Sequence, residues 1–595
     1  MRLITAFSLT VLSLSVVTAQ PPRSLKTVPI PQPAGLDRYV QDRQALIVLG
    51  KAFFWDMQTG SDGRTACATC HFHAGADHRA QNQLSDPVRS FPVNARLALE
   101  IFPFRLFADP NTRNSAVVRD SSARVGSMGL FRRVFQDIIP GQAAEDGVEA
   151  TDDARFQRDG LLVRRVTPRN SPSVINAVFN QRNFWDGRAL PVFDGVTINT
   201  TAGPDRAPLA LRDGQLVAES LRIDNASLAS QSVGPIADHL EMAYEGRTLP
   251  KLGKKLLSLP PLALQRVALT DSVLGSYARA EGRGLRDEFT YLRLIQNAFQ
   301  SQYWDAAQLV DATGRPIPGR FGAPADTNEY TQAEYNFSLF WGLALQAYQA
   351  TLVSDDSPLD RFLEGRQALT AQEQEGRQIF NGNQARCSVC HAGPEFTAAS
   401  FGALQPGGPG GPGGPGRGNG RAFQNTGVRP AAEDAGQGNG NFRSIGLRNI
   451  EFTGPYFHNG GQATLEQVVD FYARGGDFPN RDINPINLNG AQRAALVAFL
   501  KTLSDDRVRY SRAPFDHPEL CVPVGHVENA NGTLRPSESA KFPLSAGERW
   551  AALPAVGATG HQAPLQTFDE HLRGIGNDGS RAQTLTEPCT IPLPQ

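Results

Sequence analysis

Two pentads of one type stand far apart in this chain, Cys67-Ala68-Thr69-Cys70-His71 and Cys387-Ser388-Val389-Cys390-His391. Cys-x-x-Cys-His is the spacing that joins a c-type heme covalently to a protein. The two thiols add across the two vinyl groups of one porphyrin, and the adjacent imidazole reaches the iron as its proximal ligand. The pentads therefore predict two covalent hemes, one held by Cys67, Cys70 and His71 and the other by Cys387, Cys390 and His391. A zinc half-site and a thioredoxin-like redox pair share the Cys-x-x-Cys core. Neither explains a His placed directly after both pairs.

Elements that could position these groups recur with them. A helix-like segment ending in an aromatic precedes each pentad: Leu49-Gly50-Lys51-Ala52-Phe53-Phe54-Trp55 and Gly376-Arg377-Gln378-Ile379-Phe380. The recurrence predicts two related heme domains. Apolar residues also recur at helical spacing over 335–353, 465–472 and 491–503, while alternating strand patterns are scarce. The expected fold is mainly α, with two cytochrome c-like heme domains, long loop and hairpin insertions and an irregular C-terminal extension. The N-terminal heme domain is expected over 20–330, with Pro-, Gly-, Asp- and Asn-rich insertions at about 81–166 and 190–230. The C-terminal heme domain is expected over 331–515, with a flexible Gly/Pro surface loop at 406–420. The extension, 516–595, is expected to pack on the second heme domain.

Met1-Arg2, the apolar run 3–17 and Val17-Thr18-Ala19 have the layout of a secretory signal peptide spanning 1–19. Heme is joined to such pentads outside the bacterial inner membrane, so the expected location is the periplasm. The apolar run is shorter than the roughly 20 residues of a spanning helix, and no stable membrane span is expected. A net charge of -1 over 595 residues argues against nucleic acid as a partner. Of six Cys, four are assigned to hemes. Cys521 and Cys589 remain, and in an oxidising compartment a disulfide between them is expected.

Three further stretches carry a resemblance: Arg169-Asn170-Ser171-Pro172-Ser173-Val174-Ile175-Asn176 leading to Phe184-Trp185-Asp186-Gly187-Arg188, the segment from Gln231 to Met242, and the segment from Phe442 to His458. With the pentads, they make most of 40–515 similar to the bacterial di-heme cytochrome c peroxidase family, including its MauG-like members. The resemblance implies that Trp185 lies between the hemes and relays electrons. It implies that Glu241 is the acid/base over the first heme and that Gln231 orients bound peroxide. It also implies Ca²⁺ held between the domains by the Asn170 side chain and the Thr453 and Pro455 carbonyls.

Where the peroxidases carry a Met ligand for the second iron, this chain has Tyr472, the MauG-like choice. A phenolate favours ferric iron, so a low potential is expected. The alternative is that Tyr472 packs beside the heme and a His such as His458 serves instead. His73 lies too close to His71 in sequence to reach the opposite face of the first iron easily and His78 is an open candidate, so that iron is expected to be five-coordinate or to hold only water. His239, His517, His526, His561 and His571 are expected to be surface or packing residues.

The function this implies is a periplasmic peroxidase. Hydrogen peroxide is reduced at the N-terminal heme with electrons passed through the C-terminal heme from a cytochrome c or cupredoxin, or a partner protein is itself oxidised as by MauG. An oxygenase of the rubber-oxygenase type, using O₂ on an organic substrate, competes because of the long insertions. A pure electron-transfer protein also competes. Retained Glu241 argues against the first, and Gln231 with Glu241 against the second.

Overall fold

The computed structural model describes residues 23–86, 92–198, 206–404, 421–480, 482–582 and 585–591. The expected leader, 1–19, and the Gly/Pro loop, 406–420, lie outside the described residues. No described helix is long and apolar enough to cross a membrane.

Helix α1, Arg43–Trp55, starts at Asp42, whose carboxylate accepts from the Gln44 and Ala45 amides. Its buried run, Val48 to Trp55, packs on the Phe337–Gln349 helix. Gly50 sets the approach, because a Cβ there would fall 2.0 Å from the Ala344 carbonyl oxygen. The same device recurs before the second pentad. The Ala371–Asn381 helix, opened by a Thr370/Glu373 capping box, lies against the Gly490–Lys501 helix. A Cβ on Gly376 would fall 1.9 Å from the Ala495 carbonyl oxygen. In both cases the aromatic one turn later, Phe54 or Phe380, is buried beside the pentad's segment.

Two large apolar clusters result. One gathers Leu36 to Leu352 around α1, and the other gathers Leu359 to Leu503 around the Phe380, Phe396 and Phe499 rings. Each fully buried side chain of this size contributes roughly 1.5–3 kcal/mol relative to exposure.

Outside these helical cores the chain departs from a mainly α pattern. Nine two-stranded antiparallel sheets occur among the described residues. Most of their strands are too short for an alternating pattern to show in sequence. The first expected insertion holds hairpins such as Arg133–Asp137 with Asp146–Glu149, and the second holds Leu209–Arg212 with Gln215–Ala218.

The C-terminal extension corrects the expected packing in part: Leu565 and Ala582 do pack with Phe452 and Val508 of the expected second domain, but its main strand does not. Its strand Leu520–His526 is buried along its whole length and pairs with Glu548–Leu553. Leu520, Cys521, Val522, Val524, Trp550 and Leu553 join the cluster around α1, not the second one. A strand whose two faces are both apolar needs cover on both sides, and the N-terminal half supplies it. Cys521 and Cys589 are bonded, with 5.9 Å between their Cα atoms. A smaller part of the tail, around Phe568, packs on Phe102 and Ala463.

Candidate functional site

The loop from α1 to the first pentad is held by Asp56, which accepts from the Gln58 amide at 2.8 Å, the Leu262 amide at 2.7 Å and the Tyr291 hydroxyl at 2.6 Å. It delivers Cys67 to α2, Ala68–His71. The His71 ring donates Nδ1–H to the Gly75 carbonyl at 2.9 Å. That bond fixes the tautomer and leaves Nε2 as the lone-pair donor, the form in which a histidine binds metal. Burial holds the ring's pKa below its ordinary value, favouring the neutral ligand form.

In the second pentad, His391 Nδ1–H points at the Ile445 carbonyl at 3.0 Å and the Phe396 carbonyl at 3.3 Å. Its orientation is thus set by the Phe442 to His458 stretch. All four pentad cysteines are unpaired, in contrast to Cys521 and Cys589. Burial pushes the Cys67, Cys70 and Cys387 thiols up to about 12. Neutral thiols beside an oriented imidazole fit thioether attachment of a porphyrin. Among the described residues no three His, Cys, Asp or Glu side chains form a group able to hold a metal ion.

Glu241 is placed at the first pentad. Its negative charge bears on both Cys67 and Cys70, and its neighbour Met242 puts Sδ 4.0 Å from Cys67 Sγ. Burial, and then the charge of Asp238, raise the Glu241 carboxyl to about 7, while Arg188 pulls the other way. Among the described residues no donor hydrogen-bonds to this carboxylate. Gln231 lies in α3, Ser227–Ser232, which leads through the Pro235–Ala237 turn to Glu241.

Trp185 joins the two halves. Its indole Nε1 donates to the Asn170 carbonyl at 2.8 Å, and its own carbonyl accepts from the Arg443 amide at 2.8 Å. Its ring meets His458 edge-on at 6.2 Å. Trp185 lines a cavity of about 60 Å³ that Asn170, Thr453 and Pro455 also line. The three expected calcium ligands therefore share one cavity.

Tyr472 stands in the Leu465–Ala473 helix. Burial, then Cys390, then Cys387 hold its phenol above the ordinary value, which places the ring at the second pentad. His458, the alternative ligand, stacks on Phe442 at 3.6 Å and is influenced by Asp434, Arg169 and Arg124. It belongs to the Trp185 side. His73, His78 and His571 form a buried packing cluster, with the His73 and His78 rings 3.8 Å apart and the His78 and His571 rings 5.0 Å apart.

Two arginines were missed in sequence. Arg79 is buried, pairs with Asp77 at 2.6 Å and reaches Cys70 Sγ at 3.7 Å. Arg443 is buried on the Trp185 cavity with its Nε unsatisfied, and burial lowers its pKa to about 10. The Asp77-His78-Arg79 run just after the first pentad was a signal for the former. Nothing local marked Arg443.

The family model of the Di-haem cytochrome c peroxidase matches residues 142–313, a span containing Trp185, Gln231 and Glu241. The chain is similar to the di-heme cytochrome c peroxidase and MauG family. That family carries two c-type hemes, in keeping with the two pentads of this chain. The chain is 37% identical over 178 residues to cytochrome-c peroxidase IdrP2 of Denitromonas iodatirespirans, covering 27% of this chain and 47% of that protein. It is 32% identical to methylamine utilization protein MauG of Methylorubrum extorquens, over 32% of this chain and 50% of that one. At 25% identity, a match to cytochrome c551 peroxidase of Nitrosomonas europaea covers 73% of this chain and 88% of the relative. The alignments with the first two relatives thus span about half of their length.

Proposed function

We propose that this di-heme protein is a periplasmic peroxidase that reduces hydrogen peroxide at the first pentad, with electrons arriving through the second. The observation that carries the reading is Glu241, a carboxyl at the first thiol pair with a pKa raised to about 7 and no hydrogen-bond donor among the described residues. An acid/base near the working pH is what peroxide cleavage needs, and an electron carrier has no use for one. A carboxylate charge at that place also argues against an oxygenase, whose bound O₂ prefers apolar surroundings.

When bound, the hemes supply iron that coordinates peroxide and accepts or delivers single electrons. His71 would offer its free Nε2 to the iron. Glu241 takes the proton from the inner peroxide oxygen and returns it to the outer one as water departs, while the Gln231 amide orients the pair. Trp185 bridges Asn170 and Arg443 and carries electrons between the halves. Cys387, Cys390, His391 and Tyr472 are the residues that would hold the second heme. Tyr472 is neutral in these surroundings, so it becomes phenolate only against a cation that offsets the burial cost.

Calcium in the cavity lined by Asn170, Thr453 and Pro455 would fix the halves around Trp185. The electron source is a small cytochrome c or cupredoxin. In the MauG-like variant of the reading, favoured by Tyr472, a partner protein is oxidised instead. The test is titration of the diferric and diferrous holoprotein with hydrogen peroxide and with O₂, followed by heme spectra. Stoichiometric oxidation by peroxide is expected. Indifference to peroxide with a stable O₂ adduct would overturn the reading.

A further inference from the structure

Trp55 ends α1 inside a line of aromatic contacts that starts at the first pentad. The Phe54 ring lies 6.4 Å from the His71 ring, 5.8 Å from Trp55 and 5.4 Å from Tyr348. Trp55 Nε1 donates to the Tyr348 hydroxyl at 2.9 Å. The Trp55 ring also stacks on His517 at 4.9 Å, with the planes within 13°. Trp55, Tyr348 and His517 are 4%, 2% and 3% exposed. The line runs from the proximal imidazole into the C-terminal extension. Trp185, by contrast, makes its contacts with Asn170, Arg443 and His458.

The charges around Trp55 are uneven. Lys51, one turn earlier on the same helix, pairs with Asp271 at 2.8 Å and with Asp516 at 3.6 Å, and all three side chains are wholly buried. Both carboxylates also bear on Tyr348. One cation facing two acids favours a new positive charge nearby, and in a buried setting the field is weakly screened. His517 adds no opposing charge, since its Nδ1–H is given to the Pro518 carbonyl at 3.0 Å and burial holds the ring neutral. Indole is among the most readily oxidised side chains. Here it has a fixed hydrogen bond, aromatic neighbours on the path to His71 and a surplus of negative charge.

We propose that Trp55, hydrogen-bonded to Tyr348, is a second redox-active tryptophan that releases an electron toward the first heme site through Phe54 when hydrogen peroxide arrives and no external donor is present. The proposal rests on the peroxidase reading. Reduction of one hydrogen peroxide to two waters consumes two electrons and two protons. One electron comes from the second heme site by way of Trp185. The other leaves the Trp55 indole, which becomes a radical cation and keeps its Nε1 proton in the bond to Tyr348. An electron from the next reduced redox partner restores it. The branch draws the oxidising equivalent away from the porphyrin and into the interior under the C-terminal extension.

The test uses full-length holoprotein, stoichiometric hydrogen peroxide and no donor, with freeze-quench electron paramagnetic resonance. The expected radical signal narrows when tryptophan is ring-deuterated and falls several-fold in Trp55→Phe, while heme spectra and donor-fed peroxide turnover stay unchanged. Tyr348→Phe should keep the radical but alter its hyperfine pattern, because the hydrogen bond is gone. Peptide mass analysis should find oxygen added at Trp55 after repeated turnovers without donor. A signal unchanged in Trp55→Phe, or oxidation confined to Trp185, overturns the proposal. If wild-type protein does not consume peroxide, the peroxidase reading fails and the branch is judged by flash-quench oxidation with a ruthenium(III) tris-bipyridine oxidant. An indole radical transient present in wild type and absent in Trp55→Phe then supports it, and absence from both overturns it.

Discussion

Glu241 allows a prediction in which burial, charge and catalysis are read from one pH profile. Its carboxyl is raised from 4.5 to about 7, first by burial and second by Asp238. To take a proton from bound peroxide it must be ionised, so kcat/KM for peroxide should rise with pH and level off above about 7. The shift corresponds to about 3 kcal/mol at most, less for a half-buried group partly screened by water. Three variants separate the contributions. Glu241→Gln should lose the rising limb and about 10²–10⁴ in kcat, the usual worth of general acid–base catalysis. Asp238→Asn removes the smaller cause, so the midpoint should fall by less than about one pH unit with the plateau rate retained. Arg188→Gln should move the midpoint upward, since Arg188 lowers the carboxyl's pKa.

Stability carries the matching sign. A carboxyl that binds its proton more tightly when folded makes the fold lose stability as pH rises from 4.5 to about 7, and Glu241→Gln should abolish that loss. The assays are donor-fed peroxide reduction between about pH 5 and 9 and urea melts over the same range. A rising limb that survives in Glu241→Gln would show that another group titrates and would remove Glu241 from the mechanism.

Tyr472→Phe should convert the second heme's low-spin ferric spectrum to high spin and raise its potential, as measured by spectroelectrochemistry; an unchanged spectrum would exclude the phenolate ligand. Gly50→Ala places a Cβ 2.0 Å from the Ala344 carbonyl oxygen and should cost about 1–3 kcal/mol through overpacking, read as a lower thermal midpoint. Cys521→Ser opens a bridge between residues 68 positions apart and should cost about 4 kcal/mol by the loop-closure relation, measured by denaturant melts under oxidising conditions. Calcium at about one hundred times its dissociation constant should stabilise the protein by about 2.7 kcal/mol in calorimetry, and Asn170→Ala should remove that gain.

What the sequence disclosed follows from how local each signal is. Attachment of a porphyrin is fixed within five consecutive residues, so both pentads could be read directly. The Gly50-to-Phe54 and Gly376-to-Phe380 spacings repeat because each builds the same crossing, with the glycine under a backbone carbonyl and the aromatic one turn on. That too is a one-helix signal. The hairpins were legible only as a class, from the turn-rich composition of the two insertions; most of their strands are two to five residues long, too short for period-two alternation to place them one by one.

The extension escaped for a different reason. Leu520–His526 reads as an apolar run, and such a run says that it will be buried but not against what. Only the fold reveals that the N-terminal cluster is its partner. The same holds for the groups now most informative about chemistry. Arg443 stands out because its guanidinium is buried with no carboxylate partner among the described residues, and Trp55 because Tyr348 and His517 come to it from far along the chain. Covalent spacing reveals where a heme is attached, whereas the charges and rings that govern its reactivity are assembled by tertiary packing. Variants of Arg443 are therefore where the heme spectra should diverge from what the pentads alone would dictate, whereas Trp55→Phe should change the radical and leave those spectra as they are.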